Sequence, residues 1–286
     1  MTAEVRDDRQ MRALSLLKKL IIAILIGLAA FYFTFWPAAD WNGAYYHAGR
    51  ALLALKNPYS LNVFFNPPYA LPVLALLSLP GPLISRWLVA ALSIAASLYT
   101  CQQLRVGWFA TLFYFLSAPV ITNLIYGNLD ALIIMALFVP PTFSVIIASV
   151  KPQTGIGLIA YHAWQAWREK RLLRTMAPLT GLAILSVWAL PAMLVGAKFN
   201  VGASWNMSVF PYGLPIAALL MYAAIRYQRP TLALAVGVFV SPYIHVITWA
   251  GALVAIMDNL SGWKRGAAMV AACVISWAAW FWIWSK

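Results

Sequence analysis

The sequence predicts an all-α, polytopic transmembrane helix bundle, and two observations carry that expectation. Only 9% of the 286 residues are charged while 63% are hydrophobic, and mean hydropathy is +0.80. A soluble domain carries roughly 25% charged residues, so water is not the main solvent of this chain. The apolar residues gather into runs that approach or exceed the ~18 to 20 positions a helix needs to cross a hydrocarbon core. They lack the two-residue alternation of a membrane barrel. A single domain over residues 1–286 is expected, with about nine to eleven crossings, several of them short or broken.

Arg6, Arg9, Arg12, Lys18 and Lys19 precede the first apolar run at 20–36, and no small-residue cleavage site follows Ala30. That run is expected to remain as a helix with a cytoplasmic N-terminus in the plasma (inner) membrane. Residues 37–68 then lie outside. Within them, DWNGAYYHAGRALLALKNPY at 40–59 repeats Trp41, Tyr45, Ala48, Leu52 and Leu55 at helical spacing, which predicts a helix lying in the outer interface. The next crossing puts Arg86 in a tight cytoplasmic turn. Between Arg86 and Arg168 the number of crossings is then even. Two long helices fit, or four short ones interrupted at Gly127 and Pro140-Pro141, and the four-helix version gives the upper crossing number.

Helices over 175–196, 213–228, 230–243 and 244–258 place three basic groups on the cytoplasmic side: Arg168, Lys170, Arg171 and Arg174; Arg226 and Arg229; Lys264 and Arg265. Residues 197–212 and the turn from Ser241 to His245 are left outside. The net charge of +13 is therefore read as topology and not as a nucleic-acid surface. Pro-Tyr occurs at 58–59, 68–69, 211–212 and 242–243, always on the expected outer side. Proline at a first helical turn and tyrosine in the headgroup zone account for these pairs without function. Cys101 and Cys273 lie in or beside apolar runs without metal-ligand spacing and are expected to pack as small hydrophobes.

Chemistry is confined to few residues. Asp40, Asp130 and Asp258 are the only acids outside the N-terminal tail and the Arg168–Arg174 cluster. Asp40 either caps the interfacial helix or acts as a functional acid at the membrane boundary. Asp130, after Gly127-Asn128, carries the same two alternatives, and Asp258 reads as a solvated helix end. Lys151 in KPQTG either snorkels or neutralises a phosphate. His245 is either a hydrogen-bonded filler or a functional histidine. Arg50, one turn from Tyr46 and His47, binds lipid headgroups or a specific phosphate.

Four stretches, in order, carry a resemblance: DWNGAYYHAGRALLALKNPY at 40–59, FNPPYALPVLALLSLP at 65–80, the pair YGNLDALI at 126–133 with KPQTGIGL at 151–158, and SPYIHVITW at 241–249. Together they resemble the polyprenyl-phosphate-mannose-dependent mannosyltransferases of the GT-C glycosyltransferase superfamily, which act on bacterial envelope glycolipids. The resemblance implies Asp40 as catalytic base and places Lys151, His245 and Arg50 at the donor phosphate. It implies Tyr45, Tyr46, Asn57, Tyr59, Asn128, Asp130 and Gln153 as substrate contacts. The implied partners are a polyprenyl-phosphate sugar donor, a glycolipid or envelope glycan acceptor and membrane lipids. The implied outcome is one inverting displacement at the extracytoplasmic face, with no cofactor or metal.

The sequence holds no Gly-rich phosphate loop and no Asp-x-Asp pair for a nucleotide-sugar metal, so a lipid-linked donor is favoured over a nucleotide one. A transporter or lipid flippase is the rival expectation; its usual signature, two similar halves with matching interruptions, is not found. A noncatalytic scaffold of the same fold is the other, and a chain shorter than is usual for the family allows it.

Overall fold

The computed structural model describes residues 38–61 and 64–285. The expected helix at 20–36 and its basic flank lie outside the described residues. All regular structure among the described residues is helical. A π-helical turn at Trp41–Tyr45 leads into α1 (Tyr46–Leu53), followed by α2 (Leu71–Ser78), α3 (Pro82–Gln103), α4 (Trp108–Leu116), α5 (Ala118–Tyr126) and α6 (Asp130–Ile134). Then come α7 (Pro141–Ser149), α8 (Pro152–Arg168), α9 (Leu172–Leu185), α10 (Leu190–Val201) and α11 (Leu214–Tyr227). The chain closes with α12 (Pro230–Val240), α13 (Ala250–Asn259) and α14 (Gly262–Trp284). By length and composition α3 and α14 are each able to cross a membrane, and up to four spans result if α4 with α5 and α9 with α10 each count as one bent span.

The body has two chemically distinct ends. α8 and α12 run antiparallel in very close contact: a Cβ on Gly157 would lie 2.0 Å from the Ala233 carbonyl oxygen, and one on Gly237 2.7 Å from that of Gln153. Only glycine permits this approach of two backbones. At one end Arg229 meets Asp258 at 3.5 Å, and Arg265 donates to the carbonyls of Leu260 at 2.6 Å and Arg105 at 3.1 Å. Arg168, at the foot of α8, faces the same way. The loops gather at the other end. Asn206 Nδ2 donates to Pro242 O at 3.0 Å, Ser208 Oγ to Ser241 O at 2.5 Å and Asn66 Nδ2 to Val150 O at 3.0 Å. Tyr69 reaches Ser149 Oγ at 2.7 Å.

Arg86 departs from the expected arrangement. Trp41 Nε1 donates to Ser85 Oγ at 3.0 Å, so α3 starts at the loop end, beside Asp40, and carries the chain to Arg105 at the basic end. α2 is only 8 residues long and folds back onto α1. Arg86 itself is 3% exposed in the first turn of α3, not in a solvated basic turn. With the bent pair α4 and α5 counted as one, the chain therefore makes an odd number of passages between the two ends from Arg86 to Arg168.

The breaks at Gly127 and Pro140 fall where the sequence places them, and further breaks occur at Ser117 and Lys151. α4 and α5 bend by 56° at Ser117. α6, its 3-10 extension Met135–Phe138 and α7 form a hairpin of two short arms. The helix expected over 40–59 ends at Leu53. Trp41, Tyr45 and Ala48 are buried as its stripe requires, yet Leu55 is 95% exposed, because Pro58 excludes Asn57 from helical conformation and the chain turns first. The helix expected over 175–196 is interrupted between α9 and α10. Ser186 Oγ takes the Leu182 carbonyl at 2.6 Å, and Pro191 offers no N–H to continue the ladder. Cys101 and Cys273 are buried free thiols.

Candidate functional site

The site is assembled where three helix breaks meet. α5 ends at Gly127, whose φ of +66° closes the helix in the left-handed region. A Cβ there would lie 2.6 Å from Trp41 Cβ, so the glycine is required both by its conformation and by the indole against it. Trp41, anchored on Ser85, thereby sets the preceding residue, Asp40, beside the following one, Asn128.

A continuous polar chain runs inward from there. Asn128 Nδ2 donates to Asp40 Oδ2. Asn128 Oδ1 accepts from Lys151 Nζ at 2.6 Å and from the Leu129 N–H at 2.6 Å. Lys151 Nζ forms an ion pair with Asp130 Oδ2, and Thr154 Oγ1 donates to Asp130 Oδ1. Asp130 is 0% exposed and Lys151 5%; in such a setting charges persist only when paired and hydrogen-bonded.

Neither carboxylate caps a helix. Asp40 already has helical dihedrals and its side chain makes no capping bond. The N-cap of α6 is Leu129, and the Asp130 carboxylate turns to Lys151 and Thr154 instead. Burial pushes the Asp40 carboxyl above its ordinary value; Lys151 and the Asn128 N–H oppose this and Asp130 adds to it. A half-buried carboxylate whose affinity for protons is raised in this way is a stronger base than an exposed one.

His245 caps the 3-10 turn Val246–Trp249, its Nδ1 accepting from the Ile247 N–H at 3.5 Å. Its ring lies between Tyr126 and Trp280, each 5.6 Å away between centroids. Burial, and secondarily Lys151, lower its pKa to about 3. The imidazole is thus neutral at physiological pH, and with Nδ1 accepting, the proton sits on Nε2. It offers a hydrogen bond, not a charge.

The other expected contacts divide. Tyr45 is buried with its hydroxyl at Asn66, facing Asp40, Asp130 and Tyr243, and Gln153 sits half-buried in the first turn of α8, two residues past Lys151. Asn57 and Tyr59 serve the loop. Asn57 Oδ1 accepts the Tyr59 N–H at 3.0 Å, and Tyr59, packed on Phe64 and Trp188, donates to Asn66 O at 2.6 Å. Tyr46 packs on His47. Arg50 is exposed in the last turn of α1 and forms no hydrogen bond with Asp40, Asn128 or Lys151. Asp258, expected as a solvated helix end, instead accepts from Thr231 at 2.6 Å as well as Arg229.

Trp41, Asn66, Thr154 and Tyr243 belong to the site and were not among the site residues expected from the sequence, where Trp41 entered only as part of a helical stripe and Tyr243 only as part of a Pro-Tyr pair. Thr154 is one helical step from Lys151 in KPQTG and Asn66 sits in FNPPY, so each had a local signal. Among the described residues no group of three His, Cys, Asp or Glu side chains is arranged to hold a metal ion. Comparison of the chain with protein families, characterised proteins and solved structures found no match.

Proposed function

We propose that this protein is an inverting, membrane-embedded glycosyltransferase that moves a sugar, mannose on the resemblance above, from a polyprenyl-phosphate donor to a hydroxyl of a glycolipid or envelope glycan. The observation that carries the reading is the Asp40 carboxylate, proton-hungry and half-buried, tied through Asn128 to the Lys151 ammonium at the end where the loops gather. General-base transfer to an electrophile whose leaving group is already a phosphate needs a base, a source of positive potential and alignment.

In this mechanism Asp40 takes the acceptor proton as the hydroxyl oxygen bonds to the anomeric carbon. The carbon–oxygen bond to the phosphate breaks and its electron pair leaves with the phosphate. Lys151 supplies positive charge there, and neutral His245 supplies an N–H. Lys151 is already paired with Asp130, so the donor phosphate competes for an ammonium that arrives neutralised. Arg50, exposed on α1, suits headgroup contact better than the phosphate cradle. The loop end is assigned to the extracytoplasmic face and the basic end to the cytoplasm. With the crossing that the sequence predicts at 20–36 this gives about nine crossings and treats residues 130–149 as a hairpin of half-length arms.

The test is transfer of labelled mannose from polyprenyl-phosphate-mannose to membrane lipid by purified protein. Asp40→Asn is expected to lower the rate by roughly 10²- to 10⁴-fold, the usual span for loss of a general base, with the fold intact. No transfer by the wild type across several lipid-linked sugars and acceptor extracts overturns the reading. Transport is the second reading, and the buried Asp130–Lys151 pair between broken helices favours it, since such pairs serve ion-coupled carriers. Labelled donor crossing a proteoliposome bilayer without chemical change would move the assignment there.

A further inference from the structure

The Asn128 side chain has one orientation available to it. Lys151 Nζ and the Leu129 N–H both reach its Oδ1 at 2.6 Å, and the Asp130 N–H does so at 3.3 Å. Turning the amide over would set an NH2 group against an ammonium and two backbone donors, and the residue is 5% exposed, so water cannot make good the loss. Nδ2 is therefore committed to Asp40 Oδ2. Among the described residues no other hydrogen bond reaches the Asp40 carboxylate, which leaves Oδ1 with its lone pairs open.

We propose that Asn128 is the positioning residue of the site: it tethers the Asp40 carboxylate to the buried Lys151–Asp130 pair, occupies Oδ2 and presents Oδ1 as the proton-accepting atom. A primary amide fits because it accepts at one end and donates at the other. A carboxylate in its place would repel Asp40, and a hydroxyl is too short to span ammonium and carboxylate. That Oδ1 takes its proton from an acceptor hydroxyl rests on the transferase reading; the tether does not.

Other charged or titratable groups also face Asp40. They are Lys151 at the start of α8, Asp130 at the start of α6, Tyr45 on its own helix and Tyr243 in the turn after α12. Arg86 stands one residue beyond the Ser85 that holds Trp41. Replacing Asn128 with alanine removes the N–H donor to Asp40 and also an acceptor for Lys151 and the Leu129 N–H, so Asn128→Gln, which keeps both ends of the amide, is the control that separates the two losses. A carboxylate that loses such a donor holds its proton to higher pH.

The experiment follows Asp40 itself. Purified wild type, Asn128→Ala, Asn128→Asp and Asn128→Gln in lipid nanodiscs are titrated by infrared difference spectroscopy, with the protonated-carboxyl band of Asp40 assigned by its loss in Asp40→Asn. The midpoint is expected to rise by about one pH unit in Asn128→Ala, to rise further in Asn128→Asp, and to return toward wild type in Asn128→Gln, which keeps the donor. A midpoint unmoved in both Asn128→Ala and Asn128→Asp overturns the proposal. If Asn128→Ala does not fold, a raised midpoint in Asn128→Asp against one near wild type in Asn128→Gln decides.

In the mannose-transfer assay, Asn128→Ala is expected to lower kcat on the order of tenfold, with donor KM little changed and the acidic limb of the rate profile moving with the infrared midpoint. A loss confined to KM makes Asn128 a substrate contact and overturns the positioning role. A shifted midpoint with no transfer by any protein, wild type included, keeps the tether and removes the transferase reading. Transfer with an unmoved midpoint does the reverse.

Discussion

Lys151 and Asp130 stand in a place where neither is stable alone. Each is nearly inaccessible, and each satisfies the other with help from Asn128 and Thr154. Removing one partner leaves an uncompensated buried charge, a loss of about 3 to 5 kcal/mol in comparable pairs, whereas removing both is often close to neutral. Thermal melts in detergent are therefore expected to show Asp130→Leu and Lys151→Met each strongly destabilised and the double variant largely restored; additive losses would mean that the two side chains do not interact. His245 gives a second expectation, whose sign follows from its lowered pKa. The unfolded chain takes a proton near pH 6.5 that the folded protein refuses until about pH 3. Stability is present in full above the unfolded value and is lost as pH falls from about 6.5 toward 3. Replacing His245 with Asn should flatten the decline of Tm over that range. Asp40 acts with the opposite sign: its raised pKa lets the fold keep a proton that the unfolded chain gives up near pH 3.8. Its contribution falls as pH rises through the folded value, and Asp40→Asn should raise Tm at neutral pH while lowering transfer as given above.

At the level of elements, the site depends on where helices stop. Gly127→Ala forces a side chain into a left-handed residue whose Cβ position is 2.6 Å from Trp41. The conformational cost is about 1 to 2 kcal/mol, but the displaced indole also carries Asp40 away from Asn128. Activity in this variant is expected to fall by at least tenfold while the protein remains folded by circular dichroism, and activity near wild type would show that Trp41 does not place the base. Such breaks were partly legible in the sequence. Gly127 and the Pro140-Pro141 pair announce themselves because one residue type favours φ > 0 and the other lacks an N–H. The break between α9 and α10 was not legible, since Ser186 competes for a helix carbonyl only in place. Membership of the site followed the same division. Rare charges such as Asp40 and Lys151 stand out against an apolar background, whereas Trp41 and Asn66 look like belt and loop residues until their long-range partners, Ser85 and Val150, are known.

Across the whole molecule, Arg86 is where sequence and structure part. The positive-inside rule counts charges at helix ends and takes Arg86 for one of them. It cannot register that α2 is too short to cross and folds back onto α1, or that Trp41 pins the first turn of α3 beside Asp40. The two arrangements assign Arg86 to opposite faces, and this can be measured directly because both native cysteines are buried. Single cysteines at Leu55, Tyr212, Leu173 and Trp263, which are 95%, 89%, 82% and 78% exposed respectively, mark the loop end in the first two cases and the basic end in the last two. A membrane-impermeant maleimide applied to intact cells is expected to label Leu55→Cys and Tyr212→Cys, and to reach Leu173→Cys and Trp263→Cys only after permeabilisation. The deciding variant is Pro80→Cys, in the exposed turn ahead of α3. It is expected to label with Leu55→Cys. Labelling only after permeabilisation would restore a crossing at α2, return the first turn of α3 to the cytoplasmic side and separate Trp41 from Ser85, which would dismantle the placement of Asp40 on which the proposed chemistry stands.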